Sequence, residues 1–176
     1  FFFIFSISLF VGFYLNEDAS GGGTAADFHN TWGYVLALKK DLFASSEKWA
    51  AMFPLHYIIL SKLNFIVVEK YSLRLLFCFI SLLVPILFYL NLKIKFPNVN
   101  KNFLWILASI ILILPFFRSS TIWANAHITA FIFFLLSTFF FLKWQKKEPE
   151  NISLNLILQS LFMALAAYTR QYYVIF

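Results

Sequence analysis

The sequence is poor in charge. Asp, Glu, Lys and Arg make up 12% of its 176 residues, roughly half the ~25% usual in soluble domains. That excludes an ordinary soluble globular domain. It also removes the obvious reading of the +6 net charge as a nucleic-acid surface, because the lysines fall in short clusters between apolar runs. There is one cysteine, Cys78, so no intramolecular disulfide and no thiolate metal site can be built. It lies inside an apolar run and reads as a small buried or lipid-facing residue. No run alternates with period two, which disfavours a β-barrel. No basic leader with a small-residue cleavage site is visible, so a cleavable signal peptide is not expected. No internal repeat is evident.

What is there instead is apolar length. Hydrophobic residues reach 61%, with 25 phenylalanines and a mean hydropathy of +0.79. Long apolar runs occupy residues 1–15, 73–92, 103–117, 126–142 and 154–169, against the ~20 residues that a spanning helix needs. The chain opens inside one apolar run without an initiator Met and closes as another begins, so it reads as an N-terminal fragment of a longer protein. A further run, 55–68, holds Lys62 and Asn64. Its apolar core of about 13 residues would be ~20 Å long, short of a ~30 Å hydrocarbon core.

The lysines set the parity. Lys93, Lys95 and Lys101 flank one connection and Lys143, Lys146 and Lys147 another, and both connections should face the cytoplasm. The connection between those spans holds Arg118 and should lie outside. Residues 73–92 then run inward, and 16–72 become one outer loop, with 55–68 lying on the outer face. Lys39, Lys40 and Lys48 stand against this assignment. The expected fold is all-α: a single polytopic transmembrane bundle of about five spans, with a first outer loop carrying amphipathic or juxtamembrane helices near 25–40 and 55–68.

A loop of that length is usually functional or holds its own helices. Residues 25–40 read as an amphipathic helix with Ala26, Trp32, Val35, Leu36 and Leu38 apolar. Asp27 is expected in its first turn and Lys39–Lys40 in its last, each complementing the helix dipole. Pro54 should open the second outer helix. Five of the eight carboxylates lie between Glu17 and Glu47. Glu17 and Asp18 precede Gly21-Gly22-Gly23, and Asp27-Phe28-His29 follows. A Gly-rich backbone entering a helix can cradle phosphate; the plainer alternative is solvated loop acids on a flexible turn. His56, Arg118, Trp123, Asn125, His127, Arg170 and Gln171 fall on the same side. All three arginines (Arg74, Arg118, Arg170) stand at outer ends of spans, against the positive-inside bias, which suggests anionic partners. Trp32, Trp49 and Trp123 suit an interfacial aromatic belt.

In this order, a span, an acidic outer loop, Phe53-Pro54-Leu55-His56-Tyr57, an Arg opening the next span, and Tyr168-Thr169-Arg170-Gln171, the chain resembles the GT-C membrane glycosyltransferases. These include protein O-mannosyltransferases, the aminoarabinose transferase of lipid A and dolichyl-phosphate-glucose transferases. It departs from their His-Pro-Pro-Leu-Tyr-Tyr segment at Phe53 and in lacking the preceding His. The resemblance implies an integral protein of a bacterial inner membrane or the ER. It would transfer a sugar, with inversion, from a polyprenyl-phosphate donor to a lipid, glycan or protein acceptor on the periplasmic or lumenal face. No nucleic acid is involved, and no cofactor is implied beyond an optional divalent cation, with no metal-ligand residues assigned. An outer-loop carboxylate would be the general base: Asp27 first, then Asp18 and Glu17. Arg170, and secondarily Arg118, would bind the carrier phosphate. His29, His56, His127 and Gln171 are candidates for sugar or acceptor contacts. The rival reading is a transporter or flippase for a lipid-linked anion, which needs broken helices near mid-membrane. A non-catalytic scaffold would leave the carboxylate–Gly–carboxylate loop unexplained.

Overall fold

The computed structural model describes residues 1–41, 54–66, 69–146 and 153–175, and among these every regular element is helical. Glu47, Lys48, Trp49, Phe53 and Lys147, which entered the sequence reading, lie outside the described residues. The helices are α1 (Phe2–Tyr14), α2 (Gly23–Lys40), α3 (Leu55–Ile66), α4 (Lys70–Ser81), α5 (Leu83–Lys95), α6 (Lys101–Ser109), α7 (Pro115–Ile122), α8 (Ala126–Lys146) and α9 (Leu154–Thr169). A 3-10 turn, Ile110–Ile113, extends α6, and another, Gln171–Ile175, follows α9.

Among the described residues two helices are long and apolar enough to cross a membrane: the 26-residue Lys70–Lys95 formed by α4 and α5, and the 21-residue α8. The count rises to three if the bent pair Lys101–Ile113 and Pro115–Ile122 is one span. α1 and α9 are apolar but shorter, at 13 and 16 residues, so they reach only about 20 and 24 Å at 1.5 Å per residue.

The expected span 103–117 is not one straight helix. It breaks at Leu114–Pro115 with a bend of 65°. Proline has no N–H to continue the ladder and pushes the residue before it into extended backbone, and Leu114 has φ −69° and ψ 124°. α7 is therefore a separate short helix carrying Arg118, Ser119, Ser120 and Thr121 across the end of the bundle. It packs on α1, α4 and α8.

The core lies between α1, α2, α4, α7 and α8, around Leu9, Phe13, Phe28, Leu73, Phe77 and Ile122. Outside it, the usual burial pattern is reversed. Ser6, Ser81, Ser109, Thr129 and Ser137 are buried, while Phe3, Ile4, Ile7 and Val11 on α1 and Leu154, Ile157 and Leu161 on α9 are exposed. The buried hydroxyls bond within the protein, as Ser6 does to the Phe2 carbonyl and Ser137 to the Gln159 carbonyl on the facing helix. Asn91 ties α5 to α8 through the Leu135 carbonyl. Small polar residues inside and apolar ones outside are the packing rule for helices in lipid.

Candidate functional site

The loop after α1 is built around two acids, and each already has a partner. Glu17 forms a two-point ion pair with Arg118 of α7, Nε to Oε1 at 2.7 Å and Nη2 to Oε2 at 2.6 Å. The Arg118 hydrogen bonds hold the Glu17 carboxyl below the ordinary glutamate value, against the upward push of partial burial. Arg118 also donates to the Ser8 carbonyl and hydroxyl and to the Leu112 carbonyl left free by the helix break. The pair closes the break from inside. Gly12 makes room for it, since a Cβ there would collide with Glu17 Oε2 and Arg118 Nη2.

Asp18 is the anchor of α2. Its Oδ1 accepts from the Ser20 N–H (2.9 Å), the Ser20 hydroxyl (2.6 Å) and the Thr24 hydroxyl (2.7 Å), and its Oδ2 accepts from the Ala25 N–H (2.9 Å). Partial burial pushes this carboxyl up, and the four hydrogen bonds outweigh it and bring it down to about 2. Gly21 and Gly22 adopt φ +65° and +103°, backbone that glycine takes at no steric cost, which wraps the turn around the carboxylate. The expected phosphate cradle thus holds its own anion. α2 begins at Gly23 rather than 25, so Asp27 falls beyond the first turn, which contains no acid. Lys39 and Lys40 do occupy the last turn. Phe28, Val35 and Leu38 form the buried face, whereas Ala26 and Leu36 are exposed.

Arg74 finds aromatic faces rather than an anion. Its guanidinium lies 3.6 Å from the Trp123 ring centroid, with Phe13 and Phe28 within 6 Å. It donates to the Ile122 carbonyl and, from both terminal nitrogens, to Asn16 Oδ1. Trp123 donates in turn to the Glu17 carbonyl.

His56 is 1% exposed. Nδ1 lies 2.8 Å from the Thr129 hydroxyl on α8 and Nε2 lies 2.9 Å from the Ala124 carbonyl in the α7–α8 turn. A carbonyl only accepts, so Nε2 carries the proton, and Nδ1 accepts from Thr129 in the neutral ring. Burial holds this imidazole down to about 3. It neither caps α3 nor reaches open space.

A partly open cavity of about 90 Å³ is lined by Asp27, Asn30, Thr31, Tyr34, Tyr57, Asn125, Ala126 and Arg170. Positions 27, 30, 31 and 34 share one face of α2. Tyr57 follows His56 on α3, and its ring lies 5.3 Å from that of Tyr34. Arg170 follows the last turn of α9; Nη2 donates to Asn125 Oδ1 at 3.2 Å and Nε is buried without a partner. Among the described residues neither Asp27 nor Arg170 is in an ion pair.

The cavity thus gathers Asp27 and Arg170 from the expected site residues and leaves the others elsewhere. Glu17, Asp18 and Arg118 are held by the contacts above. His29 is exposed and accepts from Lys70 Nζ at 2.6 Å. His127 is exposed and stacks on Tyr172 (5.9 Å, 9°), and Gln171 is exposed. Tyr34 was not singled out from the sequence, although its spacing from Asp27 at helical period was the available signal. Among the described residues no group of three or more His, Cys, Asp or Glu comes together to hold a metal.

No family model, no curated protein and no solved structure matches the chain.

Proposed function

We propose that the protein is a membrane glycosyltransferase that moves a sugar from a polyprenyl-phosphate donor to an acceptor on the periplasmic or lumenal face. The observation that carries this reading is the cavity lined by both Asp27 and Arg170, neither of which is in an ion pair among the described residues. Asp27 takes the proton of the acceptor hydroxyl, whose oxygen attacks the anomeric carbon. The bond from that carbon to the phosphate oxygen breaks with inversion, and Arg170 holds the phosphate that leaves. Asn30, Thr31, Tyr34, Tyr57 and Asn125 supply neutral donors and acceptors suited to hydroxyl groups. The volume of about 90 Å³ is well short of the ~300–1,000 Å³ that encloses a whole small molecule. The cavity would take the reacting end of the donor, with the lipid running outward.

The same reading places five spans in the bilayer. Support comes from the exposed apolar stripes of α1 and α9 and from the inner lysines. The broken α6–α7 pair favours the transporter reading, since discontinuous helices line many substrate paths. Arg118 and Glu17 fill this break, however, and leave no ligand position in it.

Transfer from a labelled polyprenyl-phosphate sugar in proteoliposomes tests the proposal. Asp27→Asn is expected to lower kcat by at least about 100-fold, and Asp18→Asn to leave it near wild type in the folded fraction. Wild-type turnover in Asp27→Asn overturns the proposal. Lipid-linked anion movement without transfer would support the transporter instead.

A further inference from the structure

Arg170 reaches the cavity from the end of α9, and among the described residues its side chain makes a single hydrogen bond, to Asn125 Oδ1. Asn125 is itself placed by a strained turn. The preceding residue, Ala124, has φ +47°, a region that costs a non-glycine residue energy unless its surroundings impose it. Ala124 is wholly buried, and its carbonyl receives the His56 Nε2 proton. The Asn125 N–H is held by the Ser120 carbonyl at 2.8 Å. Asn125 Oδ1 also accepts from the His127 N–H at 3.1 Å, which fixes its side chain at the start of α8. The other side of the ring is fixed by Thr129, one turn further along α8. His56 is also the neighbour of Tyr57, which forms the opposite wall of the cavity and meets the ring edge-on at 5.5 Å.

We propose that His56 is a positioning residue for the cavity: by clamping the Ala124 carbonyl it sets the Asn125 side chain and, through it, the Arg170 guanidinium, while holding Tyr57 on the facing wall. The functional consequence rests on the reading of this cavity as the transfer site; the geometric relay does not. α3, the α7–α8 turn, α8 and, through the edge-on Phe77 ring, α4 meet at this imidazole, and Asn125 links it onward to the end of α9. The ring touches no open space, so its contribution is made through Asn125 and Tyr57. A packing role alone would need only a flat apolar ring in the same volume. The relay needs an N–H aimed at a carbonyl.

The test separates those needs. His56→Phe keeps the ring and removes both bonds. His56→Gln places an amide N–H within reach of the Ala124 carbonyl. With the protein's three arginines labelled with ¹⁵N in nanodiscs, the Arg170 Nε–H signal is assigned by its loss in Arg170→Lys. His56→Phe is expected to shift or broaden that signal while leaving the Arg118 signal in place, and His56→Gln to restore it. In the transfer assay the donor KM is expected to rise about tenfold in His56→Phe, with kcat changed less, and to recover in His56→Gln, the scale of one lost hydrogen bond. An unmoved Arg170 signal in His56→Phe, or a Gln variant no better than Phe, overturns the relay. If His56→Phe does not fold, Thr129→Val removes the second anchor of the ring, and an unchanged Arg170 signal there overturns it equally. A moved Arg170 signal in a protein with no transfer activity sustains the relay and removes the glycosyltransferase reading.

Discussion

The Glu17–Arg118 pair yields a test in which the two partners are unequal. The Arg118 side chain is 10% exposed and the Glu17 side chain 34%. Removing Glu17 strands a guanidinium that water hardly reaches, left with the Ser8 and Leu112 carbonyls and the Ser8 hydroxyl. Removing Arg118 strands a carboxylate that can rehydrate. Breaking a buried pair from one side costs about 3–5 kcal/mol because of the uncompensated charge, and an exposed pair is worth about 0–1 kcal/mol. Glu17→Ala is therefore expected to cost about 3 kcal/mol, and Arg118→Met, which refills the volume, about 1–2 kcal/mol. The double variant should cost less than the sum, since the second change removes the charge that the first one strands. Reversible unfolding in mixed micelles, followed by circular dichroism against the mole fraction of denaturing detergent, gives all three values. Equal single costs, the reverse order, or strict additivity would refute the argument that stranded charge dominates.

Further outcomes follow from α1 and the loop after it. Gly12→Ala places a methyl group against both members of the pair. It is expected to lower stability by about 2 kcal/mol or more in the wild type, and by less in the Glu17→Ala background, where only the Arg118 clash remains. Asp18→Asn loses charged acceptors at the head of α2 and should cost about 1–2 kcal/mol, read in the same micelles. The Asp18 contribution is fully present above the unfolded carboxyl value of 3.8 and is lost as pH falls through about 2. An acid titration of α2 helicity in Asp18→Asn should accordingly be flatter than wild type over that window.

The apolar runs at 73–92 and 126–142 identify the two helices long enough to cross a membrane, because length and hydropathy are local properties. The lower boundary came at Lys70 rather than 73 because a lysine or tyrosine costs a helix end little. Pro115 was in plain view inside the run 103–117, and its steric effect on Leu114 is the reason that run bends. The partner of Glu17 was not legible, because Arg118 is 101 residues away and no spacing rule connects them. Arg74 shows the same limit from the other side. Its position against the charge bias suggests an anion, but three aromatic rings, the Ile122 carbonyl and the Asn16 side-chain oxygen meet it. A loop pattern and a resemblance point to Asp27 and Arg170, but their shared cavity depends on α2, α3 and the end of α9 meeting. The burial of His56 had no sequence signal, since an Ala in left-handed backbone is not foreseeable from local sequence.

The distance along the chain between Glu17 and Arg118 also sets an order of events during synthesis. At about 5–20 residues per second, α7 emerges some 5–20 s after the loop that it must lock, given a separation of 101 residues. During that interval the Asp18 bonds secure the head of α2, and α4, on emerging, gives the end of α1 the Arg74–Asn16 bonds and the Phe13–Tyr71 contact. The Glu17 carboxylate lacks its partner until Arg118 arrives, and the notch at Gly12 is what α1 must present when that side chain reaches it. α7 is the helix that completes the fastening of α1.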